Sequence, residues 1–449
     1  MPVNNSNKYL KRHIDNVLID WKNSKDKKPL LLRGARQVGK SSAVKNLANS
    51  FDFFIEINFE EKPEINELFK HSVSPEYLCE SLSVYYGKPI IPGKTLVFFD
   101  EIQLSIPAIS SLRYFYEQMP ELHVIAAGSL LEFALQELPS YGVGRVRSVF
   151  MYPFSFDEFL MALNETALLQ LKETANFMHP LPEIFHLKLI DYFKKYLIIG
   201  GMPEVISKYV QGYTINEIQY VLDDLLTSLN ADFSKYKKKV PPLRINKILE
   251  SISLQSGGKF VYNNAIVDAN QMQIKEAVEL LIMAGLVIPV THSSSNGIPL
   301  GGESNFKKRK LFIFDTGLFQ RICDLNLSQI ILKTDFNSIN KGAIAEQFVG
   351  LELMKYAEPY RQENLYYWHR ETASSNAEVD FVIQNQNEII PLEVKSSGKG
   401  SMQSIYQFLK EKKCKRGIRI SLENFSKINE IEIIPLYAVS NIKNITLSL

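Results

Sequence analysis

In the first third of the chain, short unbroken apolar runs alternate with stretches of helical spacing. Leu10, Ile14, Val17 and Leu18 recur at intervals of three and four, which predicts a lead-in helix over residues 8–22. Pro29–Leu32, residues 95–100 and His123–Ala127 carry bounded apolar runs of the kind that form buried strands, and Phe53–Phe59 reads as a further strand. Strands alternating with helices predict an α/β fold around a parallel sheet. Further on the pattern changes. Residues 158–235 read as helices, with Ile215–Leu229 amphipathic and Gly200-Gly201-Met202-Pro203 as a break. Lys235-Tyr236-Lys237-Lys238-Lys239-Val240-Pro241-Pro242 is a basic stretch ending in two prolines, which predicts a domain junction. Beyond it, Ile245, Ile248, Leu249 and Ile252 mark one helix, and Ile274, Ala277, Val278 and Leu281 mark another. Leu286–Val290, the Ser/Gly-rich loop His292–Asn305 and Leu311–Phe314 predict a hairpin, so that residues 236–320 read as a winged helix.

Between the run ending at Leu32 and the helix-compatible stretch Ser42–Ala48 stands Gly34-Ala35-Arg36-Gln37-Val38-Gly39-Lys40-Ser41, a complete phosphate-binding loop of the form GxxxxGK[ST]. Four fixed positions arise by chance in a chain this long only ~1–2% of the time. Successive backbone N–H groups must curl round a phosphate at a helix N-terminus, and side chains at Gly34 and Gly39 would obstruct them. The nucleotide-binding residues are therefore expected to be Gly34, Ala35, Arg36, Gln37, Val38, Gly39, Lys40, Ser41 and Ser42. Lys40 reaches the β- and γ-phosphates as a point charge, and the Ser41 hydroxyl is left for Mg²⁺.

Sixty residues on, Leu96-Val97-Phe98-Phe99 ends in Asp100-Glu101. A buried parallel strand delivers such residues to its carboxyl end, where ligands of open α/β sheets sit. Asp100 is then the Mg²⁺ carboxylate and Glu101 the general base for the attacking water. Ser129 ends the apolar run next along. It either senses the γ-phosphate or caps the helix that follows. Arg145, presented by the loop Tyr141-Gly142-Val143-Gly144, is either a finger onto the γ-phosphate, in cis or from a neighbouring subunit, or a solvated loop residue.

LLRGARQVGKSS, LVFFDEIQ, AAGSLLEF, GVGRV, YPFSFDEFL and GGMPEVI, in that order over residues 30–205, resemble a family of prokaryotic AAA+ type ATPases with a carboxy-terminal domain of unknown function. The resemblance continues over nearly the whole chain. It implies nucleotide and Mg²⁺ roles for Lys40, Ser41, Asp100 and Glu101, a sensor position at Ser129, and a Gly-Arg element at Arg145. It also implies a P-loop core over 1–157 and a helical lid over 158–235.

The carboxy-terminal region, 335–449, holds a second pattern. Glu378–Ile383 and Ile389–Lys395 read as adjacent strands joined by Gln384-Asn385-Gln386-Asn387, which brings Asp380 beside Glu393. Lys395 shares a face with Glu393, because side chains alternate with period two. Two carboxylates and a lysine on one face are what Mg²⁺-dependent phosphodiester hydrolysis requires, with Glu346 on the preceding helix Gly342–Met354 as a further metal ligand. This resembles the PD-(D/E)XK nuclease superfamily, with Val379 where the signature has proline. An Asp followed by ExK at loose spacing occurs about once by chance in a chain of this length. An active nuclease and an inert nuclease-like fold therefore both remain open.

Net charge of +2 over 449 residues selects no partner, so a nucleic-acid partner must be argued locally. Residues 235–320 hold twelve Lys/Arg against six Asp/Glu, with Lys307-Lys308-Arg309-Lys310 on the wing. These suit phosphate contact, whereas Glu276 and Glu279 on the second helix oppose it. DNA reading, nonspecific phosphate contact and a purely architectural or protein-binding role stay open, as does homo-oligomerisation. Three separated cysteines and seven scattered histidines form no CxxC or HExxH pattern, and no zinc site can be assembled by spacing. The amino terminus lacks an apolar signal core and no run approaches the ~18 residues of a membrane span, so a cytoplasmic protein without a membrane partner is expected. The expectation is an ATP- and Mg²⁺-dependent ATPase coupled to a nucleic-acid-directed, nuclease-like domain. The alternative is a nucleotide-controlled switch or scaffold with that domain inert.

Overall fold

The computed structural model describes residues 9–136, 138, 142, 144–236, 240–265, 269–325, 341–371, 377–396 and 402–443. Tyr141 and Val143 of the expected Gly-Arg loop, Lys237–Lys239 of the basic junction, and residues 335–340 lie outside them. The described residues form two compact units. The first comprises 1–152 with the short segments 283–285 and 358–362, and the second comprises 153–282, 286–357 and 363–449.

The first unit is built on five parallel strands: β1 (Leu30–Arg33), β2 (Phe53–Asn58), β3 (Thr95–Asp100), β4 (His123–Ala127) and β5 (Arg147–Phe150), in the order β2-β3-β4-β1-β5. Every residue of β3 and β4 is buried, as unbroken apolar runs require when helices cover both faces. The lead-in helix runs His13–Asn23, and Arg12 before it is buried, its guanidinium donating to the carbonyls of Val38 at 3.3 Å and Tyr152 at 2.9 Å. The phosphate loop joins β1 to the helix Lys40–Ala48.

The second unit carries an eight-stranded mixed sheet. Its strands are β6 (Val287–Ser293), β7 (Ser304–Ile313), β8 (Leu365–His369), β9 (Glu378–Asn385), β10 (Glu388–Val394), β11 (Gly417–Ser421), β12 (Ser426–Ile428) and β13 (Ile431–Pro435), in the order β12-β13-β11-β10-β9-β8-β6-β7. The expected hairpin is present as the antiparallel pair β6–β7. It is not the wing of a self-contained module, because β6 also pairs in parallel with β8 and so extends the carboxy-terminal sheet. The helices Phe156–Ala162, Thr166–Thr174, Glu183–Ile199, Pro203–Val210 and Ile215–Asp232 precede it, the first and last opened by capping boxes from Ser155 and Thr214. The break between the third and fourth is held by Asp315, whose carboxylate accepts from the Gly201 N–H at 2.6 Å and from the Leu318 N–H at 3.0 Å. Gly200 has φ +74°, and a Cβ there would meet Asp315 Oδ1 at 2.3 Å, so glycine is required on both counts.

Two helices flank the strands that carry the expected nuclease residues. Phe408, from Gln403–Lys412, packs with Trp368, Val379 and Val382. Lys341–Lys355 approaches β7 and β9 closely at Gly350, where a Cβ would come within 2.9 Å of Phe312 and 3.0 Å of Phe381. Glu346, one turn earlier on the same helix face, comes over Lys310, two residues before Phe312 on β7.

Candidate functional site

The phosphate loop has the backbone its sequence anticipates, though not wholly for the anticipated reason. Gly34 has φ +144°, and a Cβ on it would lie 2.1 Å from the carbonyl oxygen of Met151. What excludes a side chain there is close passage of a neighbouring backbone. Gln37 (φ +62°) and Gly39 (φ +94°) are left-handed and turn the chain into the helix that starts at Lys40. Ala35 and Val38 are buried under the loop, Arg36 reaches Glu60 at 3.9 Å, and Ser42 lies in the first turn of that helix.

Lys40 is buried, and its Nζ donates to the carbonyls of Gly34 at 3.0 Å and Ala35 at 2.8 Å. Burial pulls its ammonium down to about 8, against the raising influence of Glu101 and Asp100. Ser41 Oγ donates to Asp100 Oδ2 at 2.8 Å, which joins the loop to the end of β3. Burial lifts the Asp100 carboxyl above its ordinary value, with the Ser41 hydrogen bond opposing. Glu101 follows in a left-handed conformation, φ +51°, and its carboxylate accepts from Gln103 Nε2 at 2.5 Å. β4 lies between β1 and β3 and ends in Gly128 and the buried Ser129. A Cβ on Gly128 would lie 2.1 Å from Gln103 Oε1, so a side chain there would displace the end of Gln103. Lys40, Ser41, Asp100, Glu101 and Ser129 thus share one end of the sheet. Arg145 is half-exposed and its Nε donates to Glu117 Oε1 at 2.9 Å.

Hydroxyl and carboxylate oxygens at Ser41 and Asp100 are the hard donors that Mg²⁺ takes alongside phosphate oxygens, so the residues fit that ion. Two contributors to the site carry no motif. Arg12 anchors the loop through Val38, and Gln103 holds Glu101. Gln103 could have been suspected from its place two residues after the Asp-Glu pair, whereas Arg12 gives no local signal.

In the second unit, β9 and β10 pair through Asn385↔Glu388 to Phe381↔Leu392, which tightens the expected four-residue turn to Gln386-Asn387. Asp380 and Glu393 stand just beyond the last pair. Asp380 Oδ2 accepts from the Val394 N–H at 2.8 Å, and Lys395 Nζ lies 2.6 Å from Glu393 Oε1. Burial raises both carboxyls, Glu393 to about 7 with the Asp380 charge adding to the effect.

Lys310 was expected on an exposed wing, and the structure corrects this. The side chain is buried, with Nζ at 2.7 Å from Glu346, 2.5 Å from Glu378 and 3.8 Å from Asp380. Burial alone would depress this ammonium, yet Glu346, Asp380 and Glu378 raise it above its ordinary value. Burial in turn lifts Glu346 to about 8, with Lys310 opposing. A protein cation therefore lies among carboxylates expected to bind Mg²⁺. The other wing cations are also largely spoken for. Lys308 pairs with Glu371 at 2.5 Å and Arg309 with Glu279 at 2.5 Å, while Lys307 stays exposed. Glu279, one of the two acids expected to oppose phosphate contact, is thus the partner of a cation expected to make it.

A family profile described as an AAA domain matches residues 26–160, and two profiles described as domains of unknown function, DUF8612 and DUF4143, match 190–329 and 341–439. No curated protein matches the chain significantly. Among solved structures, the Walker-type ATPase PABY2304 of Pyrococcus abyssi is similar at 17% identity and TM-score 0.45, over 70% of this chain and 96% of that one. The Aeropyrum pernix ORC1 protein in complex with DNA is similar at 11% identity and TM-score 0.29, over 74% and 96%. The match over 26–160 and the loop geometry define a P-loop domain of the AAA ATPase type, on a parallel five-stranded core followed by helices and a mixed carboxy-terminal sheet. No helix among the described residues is long and apolar enough to cross a membrane.

Proposed function

We propose that the chain binds ATP with Mg²⁺ on Gly34–Ser42 and hydrolyses it, and that the cycle switches a carboxy-terminal domain that does not cleave nucleic acid. The ATPase reading is carried by the Ser41–Asp100 hydrogen bond, 2.8 Å long, which brings the two expected magnesium ligands together beside the Lys40 loop. Ser41 and Asp100 would hold Mg²⁺, which would supply neutralisation of the phosphate charge. Phosphates entering the loop replace the Gly34 and Ala35 carbonyls as partners of Lys40. The N–H groups at the start of Lys40–Ala48 take the β-phosphate. Glu101, oriented by Gln103, accepts a proton from water as its oxygen attacks the γ-phosphorus in line with the departing β–γ bridging oxygen. ADP leaves with that bridging oxygen. Ser129 is placed to orient the γ-phosphate or the water, and Arg145 can supply charge once Glu117 releases it, in cis or to a neighbouring copy.

Lys40→Ala should abolish tight ATP binding, whereas Glu101→Gln should keep binding and lose turnover. Equilibrium binding and phosphate release measure the two. Hydrolysis by Glu101→Gln at the parental rate would remove Glu101 as the base.

The inert reading of the carboxy-terminal domain rests on Lys310, whose fixed charge satisfies Glu346 and Asp380 without a metal. The nuclease reading, in which DNA is the partner, has support of its own in the juxtaposition of Asp380, Glu393 and Lys395. Incubating plasmid and single-stranded DNA with Mg²⁺ or Mn²⁺, with and without ATP, separates the two. Cleavage lost in Asp380→Ala would establish the nuclease.

A further inference from the structure

The strand β6 is irregular between Thr291 and His292, where its pairing with β7 shifts register. Such bulges re-aim side chains. On its other side β6 pairs with β8 through His292↔Tyr367, and His369 is two residues beyond Tyr367, so its side chain falls on the same face. Glu371 follows at the same interval. The rings of His292 and His369 are 4.5 Å apart between centroids, and one ligand atom from each of His292, His369 and Glu371 lies within 4.8 Å of the other two.

The hydrogen bonding of the two imidazoles is what distinguishes this group from a chance cluster. His292 Nε2 lies 3.3 Å from the carbonyl oxygen of His369, and His369 Nδ1 lies 3.1 Å from that of Arg370. A carbonyl only accepts, so each of those nitrogens carries the proton and the opposite nitrogen holds a lone pair. Metal-ligating histidines are oriented by such bonds from their second nitrogen. His292 is 1% exposed, and its Nδ1 has no hydrogen-bond partner. A buried nitrogen left unsatisfied is costly, and binding an ion would remove that cost. Glu371 now pairs with Lys308 through Oε1 at 2.5 Å, and its other oxygen remains to take a metal. His292 and Glu371 line one wall of a cavity of about 550 Å³ together with Ser294, Asn305 and Lys307.

We propose that His292, His369 and Glu371 form a site for a divalent transition ion of the zinc class, with a fourth position open to this cavity for water or a ligand oxygen. Two imidazoles and a carboxylate suit such an ion, whereas Mg²⁺ and Ca²⁺ take oxygen donors. Three protein ligands with one place left open is the arrangement of zinc sites that exchange a ligand. The site uses none of the residues assigned to nucleotide chemistry and none of the carboxylates around Lys310.

The test uses the full chain, stripped with a chelator and free of nucleotide. It is titrated with Zn²⁺ against a chromophoric chelator, and with Co²⁺ by visible absorption. One tight equivalent is expected, unaffected by excess Mg²⁺. Glu371→Gln and His369→Ala should each weaken it by at least ~10–100-fold. Lys308→Ala, which frees Glu371, should bind no more weakly than the parent. His292 is buried and its replacement risks the fold, so the decisive variants are those of the exposed Glu371 and half-buried His369, with folding of each checked by circular dichroism. Absence of a tight Zn²⁺ equivalent in the parent, or its survival unchanged in folded Glu371→Gln and His369→Ala, would overturn the site.

Discussion

Lys40 donates to two carbonyls of its own loop, and this closed arrangement gives nucleotide binding a pH dependence. Its folded value of about 8 lies below the ordinary 10.5, so between these limits the unfolded chain holds more protons than the nucleotide-free fold. The linkage sign follows: Lys40 makes the empty protein more stable as pH rises through that window. Nucleotide acts oppositely, because phosphates hold the ammonium form. Below pH 8 the charge is already present. Above it, each binding event must take up a proton, so ATP affinity should fall by up to ~tenfold per pH unit until the bound lysine itself titrates. Titrations with a fluorescent ATP analogue from pH 7 to 9.5 measure this. Calorimetry in buffers of different ionisation heat should show proton uptake near pH 9 and little at pH 7. A flat profile would mean that Lys40 stays fully charged in the empty loop.

Elements that carry their own punctuation were legible in the sequence. The strands ending at Arg33, Asp100 and Ala127 are bounded apolar runs, and the phosphate loop announces itself by spacing, so the first candidate site could be assembled before any fold was known. The hairpin 287–313 shows where such reading stops. Its strands were recognised, but their membership of the carboxy-terminal sheet depends on the β6–β8 pairing, across more than seventy residues with no local signal. The same gap hid the burial of Lys310, since four consecutive cations read as a solvated face. His292 and His369 looked scattered for the same reason. The element-scale consequence is testable at Lys310. Removing one partner of a buried ion pair costs about 3–5 kcal/mol, so Lys310→Met should lower stability by that order, because Glu346 keeps its burial and loses its cation. If Lys310 stands in for a metal, Mn²⁺ should recover part of the loss in the variant and do little for the parent. Denaturant midpoints with and without Mn²⁺ measure both. No Mn²⁺ effect on the variant would show that these carboxylates do not converge on a cation of that kind.

The division of the molecule into two units does not follow the order of the chain. The first unit takes in 283–285 and 358–362, so a fragment ending at residue 157, where the family resemblance implies that the ATPase core closes, lacks parts of its own unit. Those parts touch residues that matter. The Phe150 N–H at the end of β5 donates to the Pro359 carbonyl at 2.8 Å, and the Arg147 guanidinium sits over the Tyr360 ring at 5.3 Å. Gly285, at φ +72°, lies so close to the phosphate loop that a Cβ on it would come within 3.2 Å of the Ala35 nitrogen. Without these segments β5 loses a hydrogen-bond acceptor worth about 0.5–1.5 kcal/mol and the loop loses a packing surface. The fragment 1–157 should therefore unfold at lower denaturant than the first unit of the full chain and bind ATP more weakly, although every residue of Gly34–Ser42, Asp100 and Glu101 is present. A milder probe is Gly285→Ala in the full chain, which keeps every segment but forces a side chain into a left-handed position against Ala35 and should weaken ATP binding without touching a ligating residue. Equal ATP affinity in the fragment, the variant and the parent would show that the phosphate loop is set entirely by residues before 157.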